Sequence, residues 1–237
     1  MPAFSDRLLS YIKRVEEETG RRVSLEKDRY LGLPGMASGF VDDPSVIIVR
    51  LSPELGPGQL EQSVAHEITH GLLRHKKGFP RMILRRQPGE EEALSLSILS
   101  SMLEDIPVNK MAHAEGFPLL ASNYLDTVRK EEEDILSGKY FSSMHANAQV
   151  RKRLMISRYI TAWGFLEYFT LDTGSKKILK KFITSFESNC PEESEMALQI
   201  REIITQNDIF TSEGYGKVIK LCLKLWELGD LVELKVD

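Results

Sequence analysis

Apolar positions recur at helical spacing near the start of the chain: Phe4, Leu8, Leu9, Ile12 and Val15 fall three to four residues apart in FSDRLLSYIKRVEEET, and Gly20 supplies a stop. The pattern then changes. Gly32, Pro34, Gly35 and Gly39 mark turns, and the β-branched run Val46-Ile47-Ile48-Val49 predicts a strand. SGFVDDPSVIIVRLS therefore reads as a hairpin with Asp42-Asp43-Pro44-Ser45 at its tip. Helical spacing returns from about Gly58 to Lys77 and gives way to a Pro- and Gly-bounded connection, GFPRMILRRQPG. It resumes from about Glu90 to Ile106, where Pro107 is expected to disturb the helix.

Beyond residue 120 the spacing is helical throughout, in LDTVRKEEEDILSG, AQVRKRLMISRYITAWGFLEYF, SKKILKKFITSFES, ESEMALQIREIITQN and GKVIKLCLKLWELGD. No internal repeat or low-complexity linker interrupts it. The expected fold is α+β: a small N-terminal sheet, the helix at 58–77, then a mostly helical C-terminal half. A soft boundary near 117–123 divides the chain into 1–120 and 121–237.

Composition narrows the function classes. Hydrophobic residues make up 42% of 237, enough for a core. Lys and Arg number 31 against 35 Asp and Glu, a net charge of −4 that disfavours non-specific nucleic-acid binding, which needs a dense cationic field. Two cysteines, Cys190 and Cys222, are too few for a disulfide framework or a cysteine-based metal cluster. The N-terminal segment lacks the apolar run of a secretory signal, and no apolar stretch approaches the ~18 residues of a membrane span. The expectation is a soluble, cytoplasmic protein with no membrane partner. Of only five histidines, His66, His70 and His75 fall within ten positions.

His66-Glu67-Ile68-Thr69-His70 is H-E-x-x-H. Four helical residues turn about 400°, so both imidazoles share one face, one turn apart. That spacing suits two neutral imidazoles on one Zn²⁺, with Glu67 beside them as general base toward a zinc-activated water. His75 lies about 180° round the helix from His66 and about 140° from His70, so an intact helix keeps it off the same ion. Where a further histidine ligand would stand in metzincin-type sites, the chain has Lys76. His113 and His145 have no assigned place.

A catalytic zinc needs a third protein ligand, and here it must be a carboxylate. The helix EEEALSLSILSSMLEDIPVN offers Glu90, Glu91 and Glu92 in its first turn and Glu104 and Asp105 near its end. Acidic residues in a first turn also simply favour the positive helix end. Glu104 and Asp105 interrupt apolar surroundings, where a buried carboxylate requires a partner. Glu104, taken to continue the small-residue face Ala93–Ser97–Ser101, is the favoured ligand; Glu91, Glu90 and Asp105 are the alternatives, and Asp105 is also a plausible outer residue orienting a histidine ring.

SGFVDDPSVIIVRLSPELGPGQLEQSVAHEITHGLLRH resembles the core of the ImmA/IrrE-type metallopeptidases, over about residues 30–107. The resemblance implies a zincin-like, gluzincin-type zinc peptidase acting on a protein or peptide substrate, such as a repressor cut at a limited site. In that family the third ligand is a Glu four residues before an Asn, which by register points to Glu90. Leu94 stands where the Asn would be. MLEDIPVN is in turn similar to E-D-x-x-V-N stretches of other H-E-x-x-H proteins, which favours residues 104–105.

The expected activity is thus zinc-dependent peptide hydrolysis, with the strand Val46–Arg50 pairing with an extended substrate. Tyr159, Arg158 and His145 are the candidates for assisting the oxyanion. The alternative is a catalytically silent binding or regulatory protein in which zinc only stabilises the fold. A nucleic-acid role for Arg81–Arg86 or RKRLMISR is disfavoured, because short basic runs are usually solvated helix faces.

Overall fold

The structure, a computed structural model, describes residues 4–28, 38–43, 45–119, 124–139 and 147–236, the side chain of Asp42 excepted. Two compact units emerge, one of Met1–Arg81, Val108–Ala121 and Val236–Asp237, the other of Met82–Pro107 and Ser122–Lys235.

The first unit opens with α1 (Asp6–Thr19), capped by the Ser5 side chain and stopped by Gly20 at φ 67°. Strands β1 (Arg22–Lys27), β2 (Ser38–Asp42) and β3 (Val46–Leu51) follow, then α2 (Pro57–His75). The sheet order is β1-β3-β2, with β1 parallel and β2 antiparallel to β3. The expected hairpin is present. At its tip the Asp43 carboxylate accepts from Ser45 N–H at 2.9 Å, Ser45 Oγ at 2.8 Å and Val46 N–H at 3.2 Å. Those bonds hold its pKa below the usual carboxylate value.

Strand β3 alternates strictly, and its buried residues Ile47, Val49 and Leu51 join Val64, Ile68 and Leu72 of α2 and Leu8, Tyr11 and Val15 of α1 in one core. Gly71, the residue after the second histidine, permits this close approach: a Cβ there would meet Ile47 carbons at 2.7, 3.0 and 3.2 Å. Three carbons of one β-branched side chain cannot all retreat together. Gly71→Ala is therefore expected to lower stability by about 1–3 kcal/mol despite alanine's better helix propensity, measured by urea unfolding. An unchanged midpoint would contradict this packing.

Strand β4 (Arg81–Leu84) precedes α3 (Glu90–Ala114). The helices of the second unit are α4 (Tyr124–Leu136), α5 (Ala148–Tyr168), α6 (Thr173–Asn189), α7 (Pro191–Thr205) and α8 (Ser212–Leu225). All five segments expected to be helical are so. The connection GFPRMILRRQPG instead contains β4, which pairs with a C-terminal strand, β5 (Val232–Lys235). Residues 81–84 are too short a run to announce a strand, and their partner lies far along the chain.

Two boundaries differ from expectation. Helix α3 runs on through Pro107 to Ala114. The missing amide removes one helical bond, but Ile106 and Val108 on either side are both buried, and packing outweighs the local defect. The division into units is also not a single cut near residue 120, because residues 82–107 group with the C-terminal helices. Their ties are specific: Asn147 Nδ2 donates to Glu91 at 2.9 Å, Arg153 donates to Ser95 Oγ, and a Cβ on Gly164 would touch Ile106 at 3.5 Å.

Candidate metal centre

Helix α2 begins at Gly56-Pro57, where Gly56 N–H donates to Gln59 Oε1 at 3.3 Å. Two turns later it presents His66 and His70, whose rings meet edge to face at 5.0 Å between centroids. Their Nε2 atoms lie 3.3 Å apart. Two nitrogens each 2.0–2.1 Å from one tetrahedral zinc are separated by about 3.3–3.4 Å, so the pair already has the spacing of two ligands on one ion.

The far side of the His66 ring is held as well. Its Nδ1 is 3.1 Å from Asn109 Oδ1 on α3, and a carbonyl oxygen there only accepts. The tautomer with its proton on Nδ1 satisfies that contact and leaves the Nε2 lone pair for a metal. One turn before Asn109 on the same continuous helix stands Asp105, and its carboxylate oxygen and one nitrogen of each histidine all lie within 4.8 Å of one another. Two imidazoles and a carboxylate form a donor set that suits zinc. The residues fit the ion.

Glu67 is 6% exposed and accepts a hydrogen bond of 2.7 Å at Oε1 from Ser38 Oγ, at the start of β2. Two residues along β2, the Phe40 ring stacks on His70, 5.9 Å between centroids and 10° from parallel, with the Arg74 guanidinium 5.0 Å from the same ring. Thr69, between the motif's histidines, fastens α2 to α1: its hydroxyl donates to Ala65 O at 2.6 Å and lies 2.7 Å from Tyr11 Oη. Burial pushes the Tyr11 hydroxyl pKa up, keeping it protonated as the donor of that bond.

The group takes Asp105 and not Glu104, the favoured ligand from the sequence. Steps of four from Ala93, Ser97 and Ser101 lead to 105, and Ser101 Oγ donates to Asp105 Oδ2 at 3.1 Å. Glu104, next along α3 and about 100° round it, is buried at 2% exposure. Glu90 is exposed in the first turn of α3. Glu91 accepts from Asn147 and faces Arg153 at 3.7 Å. His75 sits in the last turn of α2 outside the group, as helical geometry required.

Two of the three proposed oxyanion helpers are engaged elsewhere. Tyr159 is fully buried in the second unit, donates to Glu187 at 2.5 Å, and has its hydroxyl pKa pushed up to about 12, chiefly by burial. Arg158 pairs with Glu131 at 3.2 Å. His145 lies outside the described residues, and exposed His113 faces Phe117 O at 3.2 Å from Nδ1. The basic runs are ion-paired as well: Arg86 grips both oxygens of Glu92, at 2.9 and 2.6 Å, and Lys152 meets Glu192 at 3.4 Å. Both cysteines are buried thiols, pushed by burial up to about 11 for Cys190 and about 12 for Cys222, so neither is a ready nucleophile. Among the described residues no helix is long and apolar enough to cross a membrane.

Asn109, Ser38 and Phe40 are the site residues that sequence reasoning missed. Asn109 had a signal, because it stands four residues, about one helical turn, after Asp105 in MLEDIPVN. Ser38 and Phe40 had one too. Opposite Leu51 and Val49 in the hairpin, they share the face of those buried residues. Comparison with protein-family models, with curated proteins and with solved structures returned no match.

Proposed function

We propose that the chain is a zinc-dependent peptidase whose ion is held by His66, His70 and Asp105. The observation that carries this reading is the 3.3 Å approach of the two Nε2 atoms, with His66 Nδ1 turned to Asn109. Zinc held there supplies Lewis acidity toward a scissile carbonyl and lowers the pKa of a bound water to about 7. Glu67 is the neighbouring base: it takes the proton of the attacking water and delivers it to the departing amine. Its low exposure keeps the carboxylate out of bulk water, which strengthens its interactions with the reacting groups.

Substrate pairing along Val46–Arg50 is ruled out, since β3 is hydrogen-bonded on both sides, to β1 and β2. Among the described residues β2 lies at the sheet edge nearest the centre, and an extended peptide is assigned to its outer edge.

The test is cleavage of fluorescein-labelled casein by the purified chain. Activity is expected to vanish with 1,10-phenanthroline and to return on adding zinc. Cleavage that survives chelation would contradict the proposal.

A further inference from the structure

The H-E-x-x-H spacing sets the two histidines but leaves their neighbour loose. Glu67 follows His66 by one residue, about 100° round the helix, and its carboxylate must swing back on a flexible stem to reach the ion's open side. His70 needs control for another reason: rotation of its ring about the Cβ–Cγ bond would turn Nε2 away from His66. Both restraints come from one strand. Ser38 Oγ is 2.7 Å from Glu67 Oε1, and the Phe40 ring lies 10° from parallel to the His70 ring. The strand is held in turn by its register on β3, where Ser38 pairs with Leu51 and Phe40 with Val49, both buried in the core.

We infer that β2 is the positioning strand of the centre, with Ser38 holding the general base and Phe40 holding the second histidine ligand. This rests on the peptidase reading above. Ser38 occupies Oε1, so proton abstraction falls to Oε2. The hydroxyl does not touch the reacting water; it acts only through Glu67. Phe40 is wedged against His70 and Arg74, which are one turn apart on α2, and blocks the free rotation of the imidazole. The two roles are separable because they end on different groups, one that moves a proton and one that binds the ion.

The experiment uses the full zinc-loaded chain with two readouts: zinc affinity by competition with a chromophoric chelator, and the kcat and KM for fluorescein-labelled casein. Ser38→Ala is expected to lower kcat about tenfold or more while KM and zinc affinity stay within about twofold; Ser38→Thr, which restores a hydroxyl, recovers kcat. Phe40→Leu is expected to weaken zinc binding about three- to tenfold, the worth of a lost aromatic stack, and Phe40→Tyr to restore it. Ser38→Ala with wild-type kcat, or with kcat and zinc affinity falling together, would overturn the role of Ser38. Phe40→Leu with wild-type zinc affinity would overturn that of Phe40. A wild-type chain that binds zinc yet leaves casein intact would defeat the peptidase reading and Ser38 with it. The Phe40 affinity result would still decide its own half.

Discussion

Glu67→Gln is expected to keep stoichiometric zinc and to lose casein cleavage by about 10²–10⁴-fold, the usual contribution of a positioned general base. The substitution is close to isosteric, and its amide oxygen still accepts from Ser38 Oγ, which lies 2.7 Å from Oε1 in the native chain. At 6% exposure the native carboxylate is nearly sealed from solvent, so exchanging it for a neutral amide adds no buried charge. Fold and metal site should therefore survive, and the loss is assigned to proton transfer alone. Metal analysis of the variant beside its turnover checks both parts. A Gln variant that cleaves at the native rate would remove Glu67 from the mechanism.

The second large effect separates two adjacent carboxylates. Asp105→Ala is expected to weaken zinc binding by more than the roughly 10–100-fold that loss of an outer hydrogen-bonding partner costs, because it removes a ligand. Asn109→Ala should fall within that range, since Asn109 orients His66 without touching the ion. Glu104→Gln should leave zinc affinity unchanged, as Glu104 lies outside the group that joins the histidines to Asp105. Its consequence belongs to stability, because the side chain is 2% exposed and buried carboxylates depend on their partners. Chelator competition on the three variants ranks them. Zinc lost with Glu104→Gln and retained with Asp105→Ala would reverse the assignment.

The two carboxylates show where sequence reasoning stops. The H-E-x-x-H letters place His66 and His70 one turn apart by local geometry alone, and the structure agrees to the hydrogen-bonding distance. The hairpin was equally legible, because the β-branched run Val46-Ile47-Ile48-Val49 and the turn at Asp43 are local features. The choice between residues 104 and 105 was not local. One residue on a helix is about 100°, and which of two acidic neighbours meets α2 depends on how α3 is rotated. That rotation is marked by Asn109, whose contact with His66 spans 43 positions. Pro107 misled for a related reason, since its local cost was plain while the burial of Ile106 and Val108 was not. Strands β4 and β5 escaped notice because runs of four residues gain meaning only beside a distant partner.

The central claim is that two imidazole nitrogens and one named carboxylate hold a single zinc. Diffraction from zinc-bound crystals at the zinc absorption edge tests it most directly. One strong anomalous peak is expected about 2.0–2.1 Å from Nε2 of His66 and of His70 and about 2.0–2.2 Å from an oxygen of Asp105. A peak bound instead by Glu104 or a first-turn glutamate of α3, or no peak at the paired histidines, would contradict the account.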